Sequence, residues 1–163
     1  MRSLLGIIAI MWVGVFSLLP TSGQSATATS VQAPVVRAVL FRADWCANCH
    51  VLEPVLEKAM SDAAGVPVEL VVLDFTNPQK WDQSIEVALD HNVVQVYNAY
   101  AGITGLVVLT AADTGERIDC FNRTFSAPAM VHAMKQAVSI SLSAPKGSRA
   151  RASAFCPAGR APL

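Results

Sequence analysis

The sequence predicts an α/β domain: a small mixed sheet flanked by helices. Three observations predict it. Apolar, β-branched runs alternate with segments of helical period. The first two runs enclose such a segment, which implies a parallel β-α-β unit with a right-handed crossover. A turn signal at Asp113-Thr114-Gly115 then joins the last two runs as an antiparallel hairpin.

The elements follow in order. Val35–Phe41 reads as a buried strand. From Cys46 to about Ala63 the period changes, with Val51, Leu52, Val55, Leu56 and Ala59 at helical spacing and Glu53, Glu57, Lys58 and Asp62 on the other face. Gly65 and Pro67 close that helix, and Val68–Phe75 reads as a second buried strand. Asn77-Pro78 marks a turn before a helix from about Trp81. The stretch from Val93 to Tyr100 fits helix or strand equally. Leu106–Thr110 and Glu116–Phe121 are the third and fourth strands, and Ser126 caps a last helix with Met130, Val131, Met134 and Val138 on its apolar face.

The chain has 163 residues, 53% hydrophobic and 15% charged, which suits one packed domain rather than a disordered chain. Twelve basic and twelve acidic residues give zero formal charge, which argues against nucleic acid or an anionic membrane surface as the main partner. Arg2 precedes an uncharged apolar run from Leu4 to Leu19, ended by Pro20 and followed by small residues. This is the layout of a secretory signal, with Ala26-Thr27-Ala28 at its cleavage site. The expected organisation is a signal peptide over residues 1–28, a folded domain over 29–142 and a flexible tail over 143–163. The alternative is an uncleaved N-terminal anchor, the one route by which this chain would hold a membrane. Either way the domain is expected outside the cytoplasm, in the periplasm or an equivalent exported compartment.

The chemistry points to Ala43-Asp44-Trp45-Cys46-Ala47-Asn48-Cys49-His50, between the first strand and the first helix. A cysteine at a helix N-terminus faces unpaired N–H groups and the positive end of the helix dipole, both of which stabilise a thiolate. A second cysteine one turn on can close a disulfide with it, making a reversible two-electron switch. The same residues also spell C-x-x-C-H, the attachment pattern for c-type haem, with His50 and Met130 or Met134 as axial ligands. A zinc site from Cys46, Cys49 and His50 would lack a matching ligand pair elsewhere. No metal and no cofactor is expected under the redox reading.

At these residues the chain resembles the thioredoxin superfamily over about 35–140. Trp45 stands directly before the cysteine pair and Pro54 five positions after Cys49; Leu73–Asn77 and Gly102–Leu106 resemble segments of the periplasmic C-terminal domain of DsbD. The resemblance implies a thioredoxin-like fold and disulfide exchange with partner proteins. Cys46 would be the attacking thiol, Cys49 the resolving one, and Trp45 and Val107 would border the substrate groove. Partners would be protein thiols or disulfides, with a membrane electron donor as a further candidate.

The sequence departs from that family in three places. Leu40 stands where thioredoxins bury an aspartate, Val107 stands where they place a cis-proline, and the N-terminal region is short for their first strand and helix. A trans bond is therefore expected before Val107, because a cis bond to a non-proline residue costs about 2.5–4 kcal/mol. These departures support a second class of function, a binding or chaperone-like module of the same fold. Cys120 and Cys156 remain. They are expected to form a structural disulfide, or to stay apart with Cys120 buried and Cys156 free or paired to another molecule.

Overall fold

The computed structural model describes residues 33–160. The proposed signal segment therefore lies outside the described residues. Four strands, β1 (Val36–Arg42), β2 (Val68–Asp74), β3 (Leu106–Ala111) and β4 (Arg117–Asn122), form one sheet in the order β2-β1-β3-β4. β1 and β2 are parallel, as the β-α-β unit requires, and β3 and β4 are antiparallel, as the hairpin requires; β3 is also antiparallel to β1. Among the described residues no strand precedes β1.

Helix α1 (Ala47–Asp62) and helix α4 (Ala127–Ser143) cover one face, where Leu52, Leu56, Met130 and Met134 meet Leu40, Val107 and Leu109. Helices α2 (Pro78–Asp90) and α3 (Val94–Tyr100) cover the other, where Ala88, Val96 and Tyr100 meet Phe41, Leu73 and Val108. The two cores follow from strand alternation: Leu40 and Phe41 are neighbours in β1 and point to opposite faces. Phe41 stacks on Phe75, which meets Trp81 edge-on at 4.7 Å.

Three local outcomes differ from the sequence expectation. Helix α2 begins at Pro78 rather than near Trp81, because Asn77 serves as its cap by accepting from the Lys80 N–H at 3.0 Å. Proline fits the first helical turn, where its missing N–H costs nothing. The stretch from Val93 to Tyr100, whose pattern fits helix or strand, forms a separate short helix over Val94–Tyr100, set off from α2 by Asn92 at φ 50°. β2 is buried on one face only: Val71 and Leu73 are enclosed, whereas Leu70 and Val72 stay partly exposed because β2 is an edge strand beyond the reach of α4.

After α4 the chain packs back along the hairpin, although its composition of small residues, proline and basic residues reads as a flexible tail. The Arg149 guanidinium is buried and donates to Asp113, while the Arg149 and Gly147 N–H groups donate to the two oxygens of Glu116. Arg151 N–H donates to the Ile118 carbonyl at the free edge of β4, and Arg160 N–H donates to the Ala99 carbonyl. Cys156 is joined to Cys120 by a disulfide with Cα atoms 5.0 Å apart.

Candidate redox site

The end of β1 and the start of α1 build the site. Ala43 accepts a hydrogen bond from the Cys46 N–H at 3.1 Å, closing a turn that leaves Cys46 with extended backbone as the cap of α1. The Cys49 N–H then donates to Cys46 Sγ at 3.1 Å. That amide, which also donates to the Cys46 carbonyl at 3.0 Å, is thus shared with sulfur, where serine or aspartate oxygen would commonly stand. The sulfurs of Cys46 and Cys49 are bonded, with Cα atoms 5.3 Å apart. Cys46 is 6% exposed and Cys49 fully buried, and the two pack with Ala43 as a small cluster separate from both cores.

The loop around the pair is tied to the end of β2. Asp44 N–H donates to Thr76 Oγ1 at 2.9 Å, and the Trp45 indole N–H donates to the Thr76 carbonyl at 3.2 Å. Trp45 is 63% exposed, an apolar surface next in sequence to Cys46. The Arg42 guanidinium gathers three carboxylates: Glu53 on α1 at 2.9 Å, Asp74 at 2.9 Å and Asp44 at 2.8 Å. Its hydrogen bond to Glu53 leads, and with the other acids raises its affinity for the proton despite burial. Burial pushes the Asp74 carboxyl up, but hydrogen bonds from Thr76 and the charge of Arg42 outweigh it and hold Asp74 below the usual carboxylate range. Asp44, Glu53 and Asp74 are therefore already partnered, and His50 Nε2 meets the Asp44 carbonyl at 3.0 Å.

Gly105 approaches the pair from the loop before β3. Its N–H donates to the Phe41 carbonyl at 2.8 Å and its φ is 78°. A Cβ built there would lie 2.8 Å from Asn48 Cβ and 3.6 Å from Cys46 Sγ. Only glycine lets this loop come so close to the helix start. The spacing of Gly102 and Gly105 marks a bend in the sequence, but their nearness to the cysteines is a tertiary fact that spacing does not show.

The other candidate residues fall elsewhere. Val107 is fully buried, opposite Leu40 in the β1–β3 ladder, with its side chain in the α1–α4 core rather than in the cysteine cluster. No described peptide bond is cis, so the bond before Val107 is trans. Leu40 is buried in the same core, and none of the buried polar or charged side chains among the described residues is a carboxylate. The methionines considered as haem ligands, Met130 and Met134, are wholly enclosed by the same core. That core and the four-stranded sheet do not match the mainly helical layout expected of a small c-type cytochrome.

A four-stranded mixed sheet, helices on both faces and a disulfide at the cap of the first helix define a thioredoxin-like domain carrying a C-x-x-C pair. The family model described as Thioredoxin matches residues 24–99, just under half of the chain, and supports the resemblance to the thioredoxin superfamily. A comparison with curated proteins gives no match. Among solved structures, the chain is similar to StoA from Bacillus subtilis at 15% identity and a TM-score of 0.42, covering 61% of this chain and 82% of that one. It is also similar to Trxlp from Edwardsiella tarda EIB202, at 15% identity and a TM-score of 0.41 over 64% of this chain and 85% of that one. A structure described as a malarial protein aligns at 16% identity and a TM-score of 0.40, over 63% of this chain and 96% of that one. At these values the structural likenesses say nothing of activity.

Proposed function

We propose that this protein is an exported thiol–disulfide oxidoreductase that exchanges disulfides with partner proteins through Cys46 and Cys49. One observation carries the reading: Cys46 caps α1, and its sulfur accepts the Cys49 N–H at 3.1 Å. That placement favours the thiolate and makes Cys46 the nucleophile. In the reducing direction, Cys46 thiolate attacks one sulfur of a partner disulfide; the partner S–S bond breaks, and the leaving thiolate takes a proton from water. Cys49 then loses its proton and attacks Cys46 Sγ. The mixed disulfide breaks, the second partner thiolate leaves, and two electrons have passed from the pair to the partner. The reverse sequence oxidises a partner dithiol.

Export is supported by the signal layout of residues 1–28 and by the use of all four cysteines in disulfides, which persist in oxidising compartments. A membrane electron donor would fit that location as the means of recycling the pair.

Leu40 and Val107 favour a second reading, a binding module with slow turnover. With leucine at position 40, Cys49 lies in an apolar setting without a buried carboxylate to receive its proton, so release of a captured partner would be slow.

Cys49→Ser decides between exchange and holding. Incubated with an exported protein extract, the variant is expected to accumulate mixed disulfides through Cys46, visible as reducible high-mass adducts. Cys46→Ser should form none. Adducts that form equally in both variants, or alkylation that labels Cys49 before Cys46, would overturn the assignment of roles.

A further inference from the structure

Beside the redox pair lies a groove of about 380 Å³, within the size range of ligand sites. Asn48 and Gly105 line it at the cysteine end, Arg123 and Thr124 line it after β4, and Phe155 and Pro157 of the C-terminal segment close its far side. The segment that completes this groove follows α4, outside the sheet and helices that make the fold. It stays there because Cys156, between Phe155 and Pro157, is bonded to the buried Cys120 of β4. Phe155 is further set by an edge-on contact with Phe125 at 4.7 Å, yet remains 46% exposed.

We propose that residues 154–157, held by the Cys120–Cys156 disulfide, are a specificity wall of the redox site. The wall selects cysteines carried on an extended polypeptide, with an apolar side chain next to the cysteine, over small thiols. The inference rests on reading Cys46–Cys49 as an exchange pair. The occupant follows from continuity with that pair: a Cβ at Gly105 would stand 3.6 Å from Cys46 Sγ, so a chain whose cysteine reacts at Cys46 passes the groove mouth. Phe155 offers that chain an apolar surface, while Asn48 and Thr124 offer hydrogen-bond partners for its backbone. A thiol too small to span from Cys46 to Phe155 gains none of this.

The test uses the full chain as it stands, with Cys46–Cys49 oxidised. Two reductants are compared: dithiothreitol, and a short unstructured peptide with two cysteines flanked by phenylalanine. Each dithiol passes two electrons to the Cys46–Cys49 disulfide and becomes a disulfide itself. The readout is the ratio of the peptide rate to the dithiothreitol rate, with mass spectrometry confirming that Cys120–Cys156 stays closed. Phe155→Ala is expected to lower that ratio about threefold to tenfold, the worth of one aromatic contact. Cys120→Ala with Cys156→Ala, which frees the segment, should lower it in the same sense. Phe155 belongs to neither core cluster and is half-exposed, so Phe155→Ala serves alone if the double variant does not fold. A ratio unchanged in Phe155→Ala, with both reductants active, overturns the wall but leaves the exchange reading intact. Failure of both reductants on the native chain overturns the exchange reading and the wall with it.

Discussion

At the scale of single residues, the site depends on small groups placed against sulfur. Cys46 acts as a helix cap through its side chain, a role the sequence made legible because the cysteine sits where strand period gives way to helix period. Gly105 was not legible in that way. Its φ of 78° and its closeness to Asn48 arise only when the loop before β3 meets the start of α1. Gly105→Ala should cost at least about 1 kcal/mol from the left-handed backbone alone. The clash with Asn48 would add to it and displace the first turn of α1. Urea unfolding measures the loss of stability, and a stability equal to that of the native chain would show that the loop relaxes freely. Val107 illustrates the opposite limit. Alignment of Gly102–Leu106 with the family places it where a substrate-facing proline would stand, but an alternating strand assigns its side chain to the core with Leu40.

Among the elements, long apolar periodicity locates the interior of a helix or strand but not its ends. α1, β1, β3 and α4 stand close to where spacing placed them, since each buries a full face. The start of α2 is ambiguous in sequence because Asn77-Pro78 is equally a turn signal and a cap followed by proline at the first helical turn. Which of the two it is depends on whether a helix packs behind it, and here α2 packs on β2: Ser84 Oγ accepts from the Asp74 N–H at 2.8 Å and donates to the Asp74 carbonyl at 2.9 Å. Asn77→Ala removes the acceptor for the Lys80 N–H and should cost about 1 kcal/mol, whereas Asn77→Asp should be close to neutral. Thermal or urea unfolding of the two variants checks the pair. Equal losses would mean that the cap contributes nothing specific. The half-open face of β2 was hidden for a related reason: an apolar run cannot say whether both sides of a strand are covered.

For the whole molecule, the proposed function divides the two disulfides between chemistry and structure. Cys46 and Cys49 are three positions apart, too close to gain much from loop closure, whereas Cys120 and Cys156 are 36 positions apart. The chain-entropy view gives the longer loop roughly 3–4 kcal/mol of stabilisation. Cys120→Ala with Cys156→Ala should therefore lower unfolding stability by about that amount, while Cys46→Ala with Cys49→Ala should change it far less. Equal effects in the two double variants would remove the structural role of the second bridge. The packing of the C-terminal segment could not be read from composition, because its anchors are single residues: Arg149 on Asp113, two amides on Glu116, and Cys156 on Cys120. Arg149 leads in holding the Asp113 carboxyl below its usual range, against a smaller opposing effect of burial, and Lys146 adds to it.

The exchange role of the first pair is tested most directly by titrating Cys46–Cys49 in defined glutathione buffers. Fluorescence of the adjacent Trp45 and mass spectrometry follow the state of the pair. A reversible two-electron transition is expected, with a midpoint between about −270 and −120 mV, the span from thioredoxin to DsbA. A pair that stays oxidised or reduced across that whole range, or that fails to return when the buffer is reversed, would contradict a thiol–disulfide oxidoreductase.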